Sequence, residues 1–313
     1  MFQNFLIVAG QVMTLFIIMG VGFFLCRVKR LSQQTISQVS YVQVNIVVPC
    51  LIFNSLRIDR DVRVIREMGL AAFATFLYYA IAILLAARLF PKQPGDTRAV
   101  LQFGVIYANV AFMGFPLIEA VYGKEALVFA AVSLAVFTLF QWTHGIFVMG
   151  GRGHISVRSI LLSPGVVALL SGFCFFMIGF DVFDRFTGPL GQAITFFANL
   201  NTPLALMLLG AQMANSDYKK LFASKTLYAA SAIRLIGLPL LAALIMIPIG
   251  LPPMVYCALV TLCATPTAGL TSIFAERYQR DVPTAAQTVT LTTLFSILTL
   301  PLFAAAGQAF MHR

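Results

Sequence analysis

The residues best placed to do chemistry are an asparagine and a proline, each near the centre of a long apolar stretch. Asn109 lies within Tyr107-Ala108-Asn109-Val110-Ala111-Phe112-Met113-Gly114-Phe115-Pro116, and Pro266 within Cys263-Ala264-Thr265-Pro266-Thr267-Ala268-Gly269. Both stretches are rich in small, polar or helix-breaking residues. A proline in mid-helix removes a backbone hydrogen bond and clashes with the preceding turn. Backbone freed in this way survives at membrane depth only where it packs in protein or lines a cavity. If both helices break, their half-helix ends meet at the bilayer centre. Amino-terminal ends then offer free N–H groups and partial positive charge to an anion, and carbonyl ends could hold a cation. Ala108, Asn109, Thr265, Pro266 and Thr267 are the substrate-binding candidates that follow, with Asn109 facing the substrate. The bland counterpart is a pair of kinked but continuous helices.

Other polar residues lie in similarly apolar surroundings. Arg234 is the costliest, about 13 Å from the nearer face of its span. Three readings stay open for it: a countercharge for an anionic substrate, an electrostatic lock on the broken helices, or a side chain snorkelling to headgroups. Glu119 is a possible proton site or a solvated interfacial acid. Trp142 reads as an interfacial anchor, and the nearby His144 is titratable without a sequence neighbour that marks a relay. Asn45, Asn199 and Asn201 serve helix-to-helix hydrogen bonding by default. Asn45 and Asn201 are also kept as candidates for the polar site. Pro49, Pro116, Pro203 and Pro266 are the expected helix breaks.

The elements that must position these residues are set by composition. Of 313 residues, 60% are hydrophobic and 10% charged, against about 25% charged in a soluble domain. This excludes a disordered chain, a collagen-like chain and an ordinary cytosolic enzyme. The apolar runs are too long and continuous for a porin-like barrel. Net charge is +10, but the basic residues sit in short connections between apolar runs, which reads as membrane orientation and not as nucleic-acid binding. Five cysteines without a CxxC read as apolar packers. His144, His154 and His312 are too few and scattered for a metal site. The first apolar run has no leading charge and no A-x-A site, so a cleavable signal peptide is not expected. Met and Phe abundance reads as packing and lipid-facing surface.

Ten spans are expected, over 5–26, 36–56, 68–90, 98–121, 125–148, 160–178, 187–213, 225–248, 253–276 and 284–310. With both termini outside, the inner connections hold 13 Lys and Arg and the outer segments 7, as the positive-inside rule requires. The arginine-rich segment 57–67 is the awkward outer one. Gly150-Gly151-Arg152-Gly153-His154 lacks the Gly-Lys-Ser/Thr ending of a phosphate loop and reads as a flexible linker. No Walker motif occurs, so no ATP hydrolysis is expected.

Ten spans divide into five plus five, and an odd number places two homologous halves in opposite orientations. Asn45-Ile46-Val47-Val48-Pro49 in span two is echoed by Asn199-Leu200-Asn201-Thr202-Pro203 in span seven. Spans four and nine carry the matched interruptions described above. The domain reading is a first five-helix repeat over 1–148, a cytoplasmic linker over 149–159 and a second repeat over 160–313.

Four segments carry a family resemblance: Asn109 to Gly123 (NVAFMGFPLIEAVYG), Thr202 to Met213 (TPLALMLLGAQM), Ser231 to Pro239 (SAIRLIGLP) and Thr265 to Tyr278 (TPTAGLTSIFAERY). In this order over almost the whole length, the chain resembles the auxin efflux carrier family, in its bacterial branch. That family is similar in fold to the sodium/bile-acid symporters. The resemblance implies two inverted five-helix repeats. Spans one, two, six and seven would form a scaffold. Spans three to five and eight to ten would form a transport domain, with crossed broken helices four and nine. It implies that Ala108-Asn109 occupies the place of a family Pro-Asn, that Pro266 matches the crossover proline of helix nine, and that Trp142 matches a substrate-lining aromatic. It also implies a homodimer formed through the scaffold.

The expectation is therefore an all-α integral membrane protein, multi-pass in the cell membrane (a bacterial inner membrane), with both termini outside. It would carry a small organic anion, a carboxylate such as malate, malonate or an auxin-like acid, by elevator-type alternating access. No cofactor is expected, with a proton or sodium as the possible coupling ion. The alternative is a channel or membrane receptor for a small anion on the same fold. An enzyme is not expected, because no Ser/His pair, HExxH or paired mid-membrane carboxylates appear.

Overall fold

Apolar side chains leave the backbone of this chain one economical conformation, the helix, in which every peptide bonds within its own segment. The computed structural model describes residues 2–58, 61–151, 158, 161–214 and 218–311. His154, most of the glycine-arginine linker and His312 lie outside the described residues. The helices are α1 (Phe2–Arg27), α2 (Gln33–Ser55), α3 (Val62–Ala86), α4 (Gly95–Ile106), α5 (Val110–Tyr122), α6 (Lys124–Gly150) and α7 (Pro164–Ile178). They continue as α8 (Phe180–Asn199), α9 (Asn201–Met213), α10 (Tyr218–Ala223), α11 (Lys225–Ile249), α12 (Pro253–Ala264), α13 (Leu270–Arg277) and α14 (Val282–Met311). No strand occurs among the described residues.

Among the described residues six stretches are long and apolar enough to cross a membrane: Gln33–Ser55, Val62–Ala86, Lys124–Gly150, Gly188–Met213, Lys225–Ile249 and Val282–Gly307. Shorter apolar stretches among the described residues are Val12–Arg27, the later part of α1, ahead of them, and Val110–Tyr122, Pro164–Ile178 and Pro253–Ala264 between them. The expected spans 98–121 and 253–276 are not single rods. Each is divided, into α4 and α5 in one case and α12 and α13 in the other.

Prolines shape the helices differently from expectation. Pro49 and Pro116 do not break the chain. Each follows a π-helical turn, Gln43–Val47 and Val110–Gly114 respectively, and a third such turn, Ile233–Gly237, precedes Pro239. In all three the residue before the proline bonds five residues back: Val48 N–H to the Gln43 carbonyl, Phe115 to Val110 and Leu238 to Ile233. Proline has no N–H and collides with the carbonyl four residues earlier, and a turn one residue wider avoids both problems. Pro203 sits in the first turn of α9, where its missing donor is an orphan anyway; the interruption there is the single residue Leu200 between α8 and α9.

Two glycines permit the tightest helix pair. A Cβ on Gly22 would lie 1.9 Å from the Met207 carbonyl oxygen, and one on Gly210 would lie 1.8 Å from that of Met19. Thus α1 and α9 pack backbone to backbone. In the arginine-rich segment 57–67, Arg57 Nη1 donates to the Gly191 carbonyl and to Thr195 Oγ1, both at 3.2 Å, and Arg63 pairs with Glu67 at 2.8 Å.

On the opposite end three connections are tied together. Arg280 pairs with Asp96 and donates through Nε to the Met149 carbonyl at 2.6 Å. Thr97 Oγ1 donates to Asp281 at 2.7 Å, and Asp281 also caps α14 by accepting from the Thr284 N–H at 3.0 Å and the Thr284 hydroxyl at 2.7 Å. Burial pushes the Asp281 carboxyl up, but these bonds from Thr97 and Thr284 outweigh it and hold it below the usual carboxylate range.

Candidate functional site

Where α4 and α12 stop, the chain runs extended at Tyr107 and Thr265 and turns tightly at Asn109, across which the Val110 N–H donates to the Ala108 carbonyl at 2.9 Å. Tyr107 has φ −94° and ψ 108°, Asn109 φ −81° and ψ 61°, and Thr265 φ −64° and ψ 151°. The two extended stretches pair antiparallel, with Ala108 opposite Thr267. The Asn109 N–H donates to the Pro266 carbonyl at 2.7 Å, and the Ala268 N–H to the Tyr107 carbonyl at 3.0 Å. Backbone groups released by both breaks therefore satisfy each other in a setting that offers little water. The breaks expected at Ala108-Asn109 and at Thr265-Pro266-Thr267 meet in one place, and Ala108, Thr265, Pro266 and Thr267 are all buried there.

The threonines of this crossing are occupied. Thr267 Oγ1 donates to the Gly104 carbonyl at 2.8 Å, its N–H donates to Thr292 Oγ1 at 3.1 Å, and Thr265 Oγ1 donates to the Leu262 carbonyl at 2.8 Å. A Cβ on Gly104 would crowd the Thr267 and Thr288 methyls, at 3.3 and 3.1 Å.

Arg234, carried by the π-helical turn Ile233–Gly237, is 0% exposed. Its Nη1 donates to the carbonyls of Val105 at 2.8 Å and Ile106 at 3.1 Å, its Nε to that of Thr265 at 3.1 Å, and its Nη2 to that of Cys263. Val105 and Ile106 end α4; Cys263 and Thr265 flank the end of α12. The side chain is thus directed at the carbonyl ends of both half-helices and not toward headgroups, so the snorkelling option is set aside.

Asn109 is 4% exposed, and its Nδ2 has no hydrogen-bond partner. It stands at the amino end of the π-helical turn that begins α5. Asn201 is also buried; its Oδ1 accepts from Gln43 Nε2 at 2.7 Å, which leaves Asn201 Nδ2 and Gln43 Oε1 without partners. Asn45 donates to the Tyr41 carbonyl at 2.8 Å within its own helix. Trp142 meets the Phe274 ring edge-on at 5.7 Å between centroids. His144 Nδ1 lies 3.1 Å from the Tyr107 hydroxyl, which donates to the Phe140 carbonyl at 2.8 Å. Glu119 is half-buried near the end of α5, away from these groups in the chain.

A cavity of about 1400 Å³ opens beside the crossing, between the α1–α2 connection and α13–α14. Asn45 and Trp142 line it; Asn109, Arg234 and the crossing threonines do not. Its charged rim is Lys29, Arg158 and Arg277 against Glu276. Two residues outside the original candidates bring it to the crossing, Gln212 on α9 and Gly269 at the start of α13. They touch: a Cβ on Gly269 would stand 2.8 Å from Gln212 Oε1. Both belong to segments that carried the family resemblance, yet a glycine inside a motif and a glutamine near a helix end give no sign in sequence that they face each other.

Divided helices that cross through paired extended segments, inside a bundle of apolar helices and beside a polar cavity, define a multi-pass membrane protein of the transporter class. The chain belongs to the membrane transport protein family, that of the auxin efflux carriers, which it matches over residues 7–156 and 153–304. It is similar to a protein of Methanothermobacter thermautotrophicus (strain Delta H), described as an uncharacterized transporter, with 24% identity over 298 residues covering 93% of this chain and 96% of the relative. A second protein, from Methanocaldococcus jannaschii and also described as an uncharacterized transporter, is 21% identical over 300 residues, covering 93% of this chain and 96% of its own length.

Proposed function

We propose that this membrane transporter carries a small organic anion, a mono- or dicarboxylate of the size of malate or malonate, by alternating access. The observation that carries the reading is the cavity that runs along α13, from Gly269 and Leu270 at its amino end to Glu276 and Arg277 at its carboxyl end, and is lined by the cationic Lys29, Arg158 and Arg277 against the acid Glu276. Helix amino ends favour anions, and α5 and α13 both begin at the crossing. The carboxylate binds beside Asn109, whose amide donor is unused, and Trp142 and Gln212 form the wall that it passes.

We assign the moving parts as follows. Spans one, two, six and seven (α1, α2, α7 and α8–α9) form a scaffold, within which the Gly22 and Gly210 contacts join α1 to α9. The other spans form a transport domain in two inverted five-helix repeats, tied by the Ala108–Thr267 bridge and by the Arg280, Asp96 and Asp281 contacts. Shifting that domain as a unit exchanges the open side of the cavity. Lys29, Arg158 and Arg277, from three basic connections, line the present opening, so in this reading the cavity faces the cytoplasm, with both termini outside the cell membrane. A homodimer through the scaffold completes the reading. An anion leaving the cell is driven by the membrane potential, about 2.3 kcal/mol per charge per 100 mV, so export needs no coupling ion.

Proteoliposomes holding an imposed potential test this with radiolabelled malate, malonate and indole-acetate. The expected result is saturable, potential-sensitive flux of at least one of them, reduced tenfold or more by Asn109→Ala. Failure of all three, or flux indifferent to Asn109→Ala, overturns the site; flux that rises without saturation assigns a channel.

A further inference from the structure

Two helix carboxyl ends pointing at one spot present a problem that the protein must solve. Each helix end carries roughly half a negative charge on its unsatisfied carbonyls. The ends of α4 and α12 place the carbonyls of Val105, Ile106, Cys263 and Thr265 around a common centre. A ring of backbone carbonyls is the arrangement that replaces the hydration shell of a monovalent cation. In this chain the centre is filled by a guanidinium. Arg234 is completely buried, and four of its N–H groups are spent on those four oxygens. A buried cation without compensation is very costly. Here two half-charges from the helix ends match one full charge, and four hydrogen bonds satisfy most of its donors.

We infer that Arg234 is a resident cation: it supplies from the chain itself the positive charge that the opposed helix ends require, so the crossing takes up no metal ion from solution. The charge is covalently attached through α11, and it moves with the crossing through every step. The half-helix ends therefore stay assembled whether or not an anion is bound. Arg234 acts here as a positioning residue, because it holds the backbone that shapes the site and its donors are not aimed at the cavity. Although the inference presupposes the carrier reading above, its test reads stability and not flux. A failure to find a transported anion leaves it standing, and its own failure leaves the anion site untouched.

Thermal unfolding of the purified full-length protein provides that test. The wild type is expected to melt at the same temperature in sodium, potassium and choline chloride at equal ionic strength. Arg234→Ala is expected to melt on the order of 10 °C lower. Guanidinium chloride at about 10 mM should then restore half of the loss or more, by occupying the vacated centre, while urea, the neutral planar isostere, restores none. Charge is separated from hydrogen bonding by a second pair. Arg234→Lys, which keeps the charge, should lose less than half as much as Arg234→Gln, which does not. Sodium-specific stabilisation of the wild type by more than about 3 °C, rescue by urea equal to that by guanidinium, or a lysine variant no better than the glutamine one overturns the proposal. If the alanine variant does not fold, the sodium series on the wild type and the Lys–Gln pair still decide it.

Discussion

The Thr267 hydroxyl donates to the Gly104 carbonyl at 2.8 Å, a bond that joins residues 163 positions apart and fastens the second broken helix onto the first. Gly104 lies in the last turns of α4, where carbonyls run out of helical partners. Thr267→Val keeps the shape and deletes the donor. It is expected to cost about 1–2 kcal/mol of stability, read as a lowered melting temperature in detergent.

Asn109 should behave in the opposite way. Its Nδ2 is buried without a partner, so Asn109→Ala removes little that holds the fold together. Its melting temperature should stay within about 2 °C of wild type, while anion flux falls at least tenfold. A large loss of stability with flux per folded molecule intact would reverse the assignment of the two residues.

The contact of α1 with α9 tolerates no side chain. Gly210→Ala would put a Cβ on the Met19 carbonyl, and Gly22→Ala on that of Met207. Backbone cannot retreat as a rotamer can, and overpacking of this kind costs about 1–3 kcal/mol or more. Either variant should express poorly or melt well below wild type, whereas Gly20→Ala, with open space around its Cβ, should be neutral.

The present opening of the cavity can be read by chemical labelling. In a background with the native cysteines removed, Asn45→Cys and Ser272→Cys on the cavity wall should react with a membrane-impermeant maleimide applied from the cytoplasmic side. Ala108→Cys in the crossing should not. Equal reaction of Asn45→Cys from the opposite side would reverse the orientation.

Asp281 gives the fold an acid limit. Its carboxyl titrates lower in the folded protein than in the unfolded chain, where about 3.9 is usual. The unfolded state therefore binds the proton first. The contribution of Asp281 is complete above that value and is lost as pH falls through the lower folded value. Melting temperature should drop as pH is taken below about 4. Asp281→Asn should melt lower near pH 6 and lose less on acidification.

Much of the site could be read from residue types, and its failures are instructive. The break at Asn109 was legible because small and polar residues crowd a place where an apolar helix gains nothing from them. The break at Pro266 was legible from proline chemistry. Pro49 and Pro116 misled for the same reason, because a proline demands only that one hydrogen bond be rerouted, and a π-helical turn does so without ending the helix. Arg234 was recognised as expensive, but its partners are main-chain oxygens 29 to 129 residues away, and sequence carries no label for a carbonyl that a helix has left bare. The approach of Gln212 to Gly269 depends wholly on how α9 lies against α13. Gln43 was missed as the partner of Asn201, although a glutamine in so apolar a helix is itself a signal.

Each π-helical turn ahead of Pro49, Pro116 and Pro239 is a helix holding one surplus residue. Gln43 and Arg234 ride on two of these surpluses, and Asn109 stands at the threshold of the third. One residue advances an α-helix by about 100° and 1.5 Å. Deleting a single residue from any of these turns would let it relax to ordinary α-geometry and swing everything upstream by more than a quarter revolution. Gln43 would then turn away from Asn201, and Arg234 from its four oxygens. The azimuth of the polar groups in this protein is thus a matter of counting, written in chain length as much as in residue identity.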